Sequence, residues 1–145
     1  MSSPLTEFVG TWRLVSYQAR DSNGQVQYPM GDHVSGRLTY DSAGNMSAQV
    51  GRNDRPPFAA KDPLRGTDAE VRAAFEGYTS YFGTYTIDAN RRTVTHHVQG
   101  ASYPNWIASA QLRHYTFDGT RLSLSAPLVE DGQTLEFVLI WERVQ

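Results

Sequence analysis

What most constrains this chain is its rhythm: short segments in which apolar and polar residues alternate, each cut off by turn residues. Alternation with a period of two is the signature of a β-strand that buries one face. It predicts strands over Val9–Ala19, Val34–Tyr40, Asn45–Gly51, Tyr81–Ile87, Thr93–Gly100, Ser109–Phe117, Arg121–Ser125 and Thr134–Val144. Most connectors between them carry turn chemistry: Ser22-Asn23-Gly24, Asp41 to Gly44, Asp88-Ala89-Asn90, Asp118-Gly119 and Glu130-Asp131-Gly132. Eight consecutive strands of this kind would leave two unpaired edges in an open sheet. The expected fold is therefore all-β, an eight-stranded antiparallel up-and-down barrel closed on itself. With 145 residues, the whole chain, 1–145, is expected to form one barrel domain.

One segment breaks the rhythm. Thr67-Asp68-Ala69-Glu70 has the form of a capping box, in which threonine and glutamate satisfy free amides of a first helical turn. It predicts one inserted helix of about three turns. Val71, Phe75 and Tyr78 would share a face of that helix, a stripe suited to covering a barrel opening or, if exposed, to meeting a second subunit. The preceding "RNDRPPFAAKDPLRG" is too rich in proline for a central strand and reads as an ordered loop.

Parity then selects the inward residues. "TVTHHVQGASYPNW", Thr93 to Trp106, carries two adjacent histidines whose side chains must leave opposite faces of a strand. Val94, His96 and Val98 share one face; Thr93, Thr95, His97 and Gln99 share the other. The first set should face inward. A two-residue turn at Ala89-Asn90 would pair Tyr85 with Val94 and Gly83 with His96, and a longer turn would change the partners without changing the face. A turn at Asp118-Gly119 would set Tyr115 opposite Leu122 and Arg113 opposite Leu124, placing Arg113 inside among Tyr115, Phe117, Leu122 and Leu124.

Composition excludes several classes. A formal charge of −2 at pH 7 offers no long-range attraction for nucleic acid or an anionic membrane. There is no cysteine, which removes disulfides, thiolate metal sites and cysteine nucleophiles and suits a reducing cytoplasm. The opening residues lack a charged-then-apolar leader, and Leu135 to Trp141 is far too short to span a bilayer. A soluble, cytoplasmic protein is expected. No glycine-rich phosphate loop opens a helix, no serine–histidine–acid set can be assembled, and no carboxylate stands at ligand spacing from His96. Neither a cofactor nor a metal is expected.

The segments "GTWRLVS", "GRLTYDSAGNMSAQ", "YFGTYTID", "VTHHVQGASYPNW" and "WERV" together resemble the lipocalin-like domain family of small bacterial and fungal proteins, over almost the whole chain. The resemblance implies a calycin-type barrel with a central pocket. Gly10-Thr11-Trp12 is also similar to the Gly-x-Trp signature of true lipocalins, which implies that Trp12 closes one barrel end under a stacked arginine, either Arg143 or Arg113.

Two functional classes follow. One is a binding module for a small hydrophobic metabolite of polyketide or terpenoid type, its polar end fixed by Arg113 and His96. The other is a cofactor-independent isomerase, cyclase, hydratase or lyase of secondary metabolism, with His96 as acid or base and Arg113 or Tyr85 stabilising an oxyanion. The arginine and histidine in one small cavity favour the second. Tyr40, Tyr115, Val94, Val98 and Leu124 would complete the pocket wall, with Asn105 and Trp106 at its mouth. Each has a plainer reading: His96 as a core histidine satisfied by a tyrosine, Arg113 in an ion pair, Tyr40 and Tyr85 as wall packing, Asn105-Trp106 as a loop plug. A homodimer is compatible with either class.

Overall fold

The computed structural model describes residues 4–145. A short helix α1 (Pro4–Phe8) leads into β1 (Gly10–Arg20), β2 (Val26–Gln27), β3 (Val34–Tyr40) and β4 (Asn45–Arg52). Helix α2 (Asp68–Glu76) precedes β5 (Tyr78–Asp88) and β6 (Thr93–Ala101). A 3-10 turn at Pro104–Trp106 precedes β7 (Ala110–Asp118), β8 (Arg121–Glu130) and β9 (Gln133–Arg143). Every neighbouring pair is antiparallel, and β1 pairs with β9, which closes eight strands into a barrel. The two-residue β2 is an extra strand laid on the end of β1.

Two hairpins differ in register from the expectation. The β5–β6 connection uses residues 89–92, with Arg92 at positive φ, so Asp88 faces Thr93 and Tyr85 faces His96 rather than Val94. The β7–β8 turn sits at Gly119-Thr120, so Tyr115 faces Leu124, and Arg113 does not. Both slips are of two residues, an even number that leaves each side chain on its expected face. A bulge between Phe82 and Gly83 adds one residue on β6. Gly83 lies so close to β6 there that a Cβ would stand 1.9 Å from the carbonyl oxygen of His97.

One end of the barrel is stoppered. Phe8 is fully buried and meets Tyr40, Tyr115 and Phe117 edge-on at centroid distances of 4.8–5.2 Å. Trp12 donates its indole N–H to the Phe8 carbonyl, and the Arg143 guanidinium lies 4.2 Å above its ring. Arg143 also donates to the carbonyls of Val9 and Glu7, tying α1 to the last strand. Gly10, at φ +140°, permits this approach, because a Cβ there would stand 2.6 Å from an Arg143 nitrogen. The stacked arginine is Arg143, and Arg113 lies elsewhere.

Helix α2 has its capping box in full: Thr67 accepts from the Glu70 amide and Glu70 accepts from the Thr67 amide. It does not cover an opening. The helix buries none of its residues: Val71 and Phe75 are about half exposed, while Tyr78, expected on the same helix face, lies beyond the helix end as the first residue of β5 and is about a third exposed. The spacing marks an apolar face without saying what lies against it; here α2 rests beside β5, with Arg55 over the Tyr78 ring. No helix among the described residues is long and apolar enough to cross a membrane.

Candidate functional site

At the end opposite the stopper, the barrel holds a cavity of about 290 Å³. Its walls are mainly apolar: Leu38, Ala48, Val50, Leu124, Leu139 and Trp141 deep inside, with Ala126, Pro127, Leu128 and Phe137 toward the open end. Tyr17, Thr79, Tyr81, His96, Gln111 and Arg113 add polar atoms, and Trp106 stands at the rim.

His96 is the best-defined polar group. It is 1% exposed, and both ring nitrogens are engaged: Nε2 with the Tyr40 hydroxyl at 2.6 Å and Nδ1 with the Tyr81 hydroxyl at 2.8 Å. Burial first, then the positive charge of Arg113, with a smaller electrostatic contribution from the neighbouring His97, lowers its pKa to about 3. The imidazole is therefore neutral near pH 7, with one N–H and one lone pair. One tyrosine must donate to it and the other accept. The Tyr40 hydroxyl has no other partner among the described residues and lies in the core, so a hydrogen on Nε2 would leave the Tyr40 O–H buried and unused, at about 1–3 kcal/mol. The network thus assigns the hydrogen to Nδ1. Nδ1 donates to Tyr81, whose own hydroxyl hydrogen is left for the cavity that Tyr81 lines. Burial raises the pKa of both phenols, so they remain protonated donors.

Arg113 lies on the same wall, half-buried. It donates to the Leu112 carbonyl at 2.9 Å and to the Gln111 side-chain oxygen at 3.4 Å. No carboxylate lies within 4.0 Å of it among the described residues, whereas Arg13, Arg52 and Arg121 all have acidic partners. Gln111 is spent in turn: its oxygen accepts from Arg113, and its nitrogen donates to Ser109 Oγ at 2.8 Å. The indole nitrogen of Trp141 is the one buried side-chain polar atom without a partner among the described residues.

Of the residues singled out in the sequence, His96, Arg113, Leu124 and Trp106 line the cavity. Tyr40 sits behind the wall as the partner of His96. Tyr85 turns toward the stoppered end, where its hydroxyl donates to the Asp41 carbonyl at 2.6 Å. Tyr115 packs on Phe8 and Phe117. Val94 and Val98 are buried without lining the cavity, and Asn105 is exposed, donating to the Tyr103 hydroxyl. His97 points outward and pairs with Thr86. Sequence reading did not single out Tyr81 and Gln111, although their parity with Tyr85 and Arg113 was there to be read. It also did not single out Tyr17 or Trp141 as part of the cavity wall.

An antiparallel barrel stoppered at one end and hollow at the other defines a calyx. The chain belongs to the lipocalin-like domain family, whose model matches residues 9–144. A fungal relative, the 4'-hydroxy-3'-methoxypropiophenone carrier protein ppsC of Aspergillus oryzae, is 36% identical over 107 residues, spanning 68% of this chain and 96% of the relative. Among solved structures, the siderocalin Ex-FABP, described as functioning through dual ligand specificities, aligns over 95% of this chain and 71% of its own at 11% identity, with a TM-score of 0.36.

Proposed function

We propose that this protein is a small-molecule carrier that holds one compact, largely apolar ligand in the calyx. The observation that carries the reading is the cavity: about 290 Å³ of mainly apolar wall, interrupted on one side by Tyr81, His96 and Arg113. At about 30 Å³ for each displaced water, that space suits a molecule of one or two rings. The relative named as carrier of an aryl ketone supports a ligand of that size and polarity. The lack of cysteine is in keeping with a cytoplasmic setting, and the exposed stripe of α2 is the face through which a homodimer would form.

Equilibrium dialysis and native mass spectrometry with simple aryl ketones test the carrier reading. The intact protein should bind one molecule per chain, and Ala48→Phe, which fills the cavity from a buried wall position, should abolish binding without lowering the melting temperature. Equal binding by this variant and the parent protein refutes the site.

A second reading is a cofactor-independent isomerase, cyclase or lyase. What favours it is the hydrogen-bonded Tyr40–His96–Tyr81 chain ending at the cavity wall beside an unpaired guanidinium, an arrangement able to deliver a proton and stabilise an oxyanion. Product analysis separates the two. A carrier returns its ligand unchanged, whereas an enzyme converts it and loses about a hundredfold or more in rate on His96→Gln.

A further inference from the structure

The polar wall of the calyx has a direction. Tyr40 fixes the imidazole of His96 with its hydrogen toward Tyr81, so the Tyr81 hydroxyl is left to donate. Arg113 has five N–H donors, of which two are used within the protein. On the acceptor side, the His96 lone pair is taken by Tyr40 and the Gln111 oxygen by Arg113, and the lining includes no carboxylate. Tyr17 and Thr79 also line the calyx, but a hydroxyl rotates to donate or accept and imposes no sense, and that of Thr79 pairs with the Ser102 hydroxyl. The fixed groups are all donors, and the fixed charge is positive.

From this we infer that the calyx selects ligands whose polar end is an oxygen acceptor, a carbonyl or carboxylate, held between Arg113 and Tyr81, and that it rejects ligands ending in an amine. Tyr81 is then a specificity-determining residue, and Tyr40 a positioning residue that acts through His96 without touching the ligand. The inference rests on the calyx being a ligand site and adds the chemical class that site accepts. A carboxylate gains most, since it can take two N–H groups of the guanidinium while Tyr81 bonds an oxygen. An ammonium group meets a like charge and finds no lone pair fixed to receive it.

Matched probes test this on the intact protein: 2-naphthoate, 2-acetylnaphthalene, 2-naphthylmethylammonium and naphthalene, titrated by calorimetry near pH 7. The expected order is carboxylate, ketone, hydrocarbon and ammonium, with about tenfold between carboxylate and hydrocarbon. Arg113→Met should bring the carboxylate level with the hydrocarbon, and Tyr81→Phe should weaken the ketone while sparing naphthalene. Nitrogen NMR of His96 gives a readout independent of any ligand: Nδ1 should carry the hydrogen in the parent protein, and Tyr40→Phe should release that preference and narrow the gap between ketone and hydrocarbon. An ammonium probe that binds as well as the carboxylate, or a hydrogen on Nε2 in the parent protein, overturns the inference while leaving the carrier reading standing. Failure of all four probes to bind sinks the site, and this inference with it.

Discussion

Acidification should destabilise this barrel in a pH range where its carboxylates are not yet responsible. His96 titrates at about 3 in the folded protein against about 6.5 in an unfolded chain. A histidine with a lowered folded pKa costs nothing where both states are neutral. Stability is lost as pH falls below the unfolded value, because the unfolded chain then takes up a proton that the folded one refuses. The loss at pH 5 relative to pH 7 comes to about 2 kcal/mol. The structural reason is first that the ring is buried, so its charged form loses its hydration, and next that Arg113 places a positive charge nearby; an imidazolium would also have to donate from both nitrogens, turning the Tyr40 hydroxyl hydrogen into the core. Carboxylates held low by their hydrogen bonds, such as Asp41, Asp54, Glu70 and Glu142, lose their contribution at still lower pH and barely enter this window. The assay is urea unfolding of the parent protein and of His96→Gln at both pH values. With a slope near 2 kcal/mol per molar, the parent midpoint should fall by about 1 M between pH 7 and pH 5. The variant, less stable at the outset, should show little of that fall. The other three histidines are common to both proteins and cancel in the difference. Equal pH sensitivity in parent and variant would refute the reasoning.

Four further outcomes follow from contacts described above. Phe8→Ala should cost about 3–5 kcal/mol by hollowing the stopper, seen as a melting temperature lowered by about 10 °C or more. Gly83→Ala should destabilise by about 3 kcal/mol in chemical unfolding, because its methyl group meets the His97 carbonyl where β5 and β6 cannot part without losing their pairing. Thr67→Ala should cost about 1 kcal/mol within α2, raising amide exchange there while global stability holds, since the helix buries none of its residues. Tyr85→Phe should cost about 1 kcal/mol for its bond to the Asp41 carbonyl and leave ligand affinity unchanged, measured by denaturation and calorimetry.

The face on which each side chain lies was legible because strand parity survives errors of register. His96 and Arg113 come out inward although both hairpin turns fall two residues from their expected places. What parity cannot convey is depth along the barrel. Tyr85 and Tyr81 share a face, but one hydroxyl reaches the backbone near the stopper and the other the wall of the cavity. In the expected register Gly83 opposed His96, with Tyr81 and Tyr85 equally spaced on either side, so register did not separate the two; Tyr81 reaches the ring diagonally, across the bulge beside Gly83. Tyr40 was expected in the pocket and instead orients His96 from behind it, a relation that depends on three strands meeting at one level. Helix α1 carried no readable signal, since five residues are too few to show a period. Of the stripe expected on α2, Val71 and Phe75 lie on the helix and Tyr78 falls on β5 after it ends at Glu76; its cover was inferred from the need for one, and that need is only partly met.

The stopper built from Phe8, Trp12 and Arg143 has a kinetic meaning as well as a structural one. A tube open at both ends can be flushed, with an arriving molecule pushing the resident out through the far side. On the proposed carrier reading, with the stoppered end closed, arrival and departure would share the open end near Trp106, and exchange would proceed through a vacated calyx. The rate at which a bound molecule leaves should therefore be independent of how much competitor waits outside. On the same reading, a recipient would have to take the ligand at the rim, in the reverse of the order in which its atoms went in.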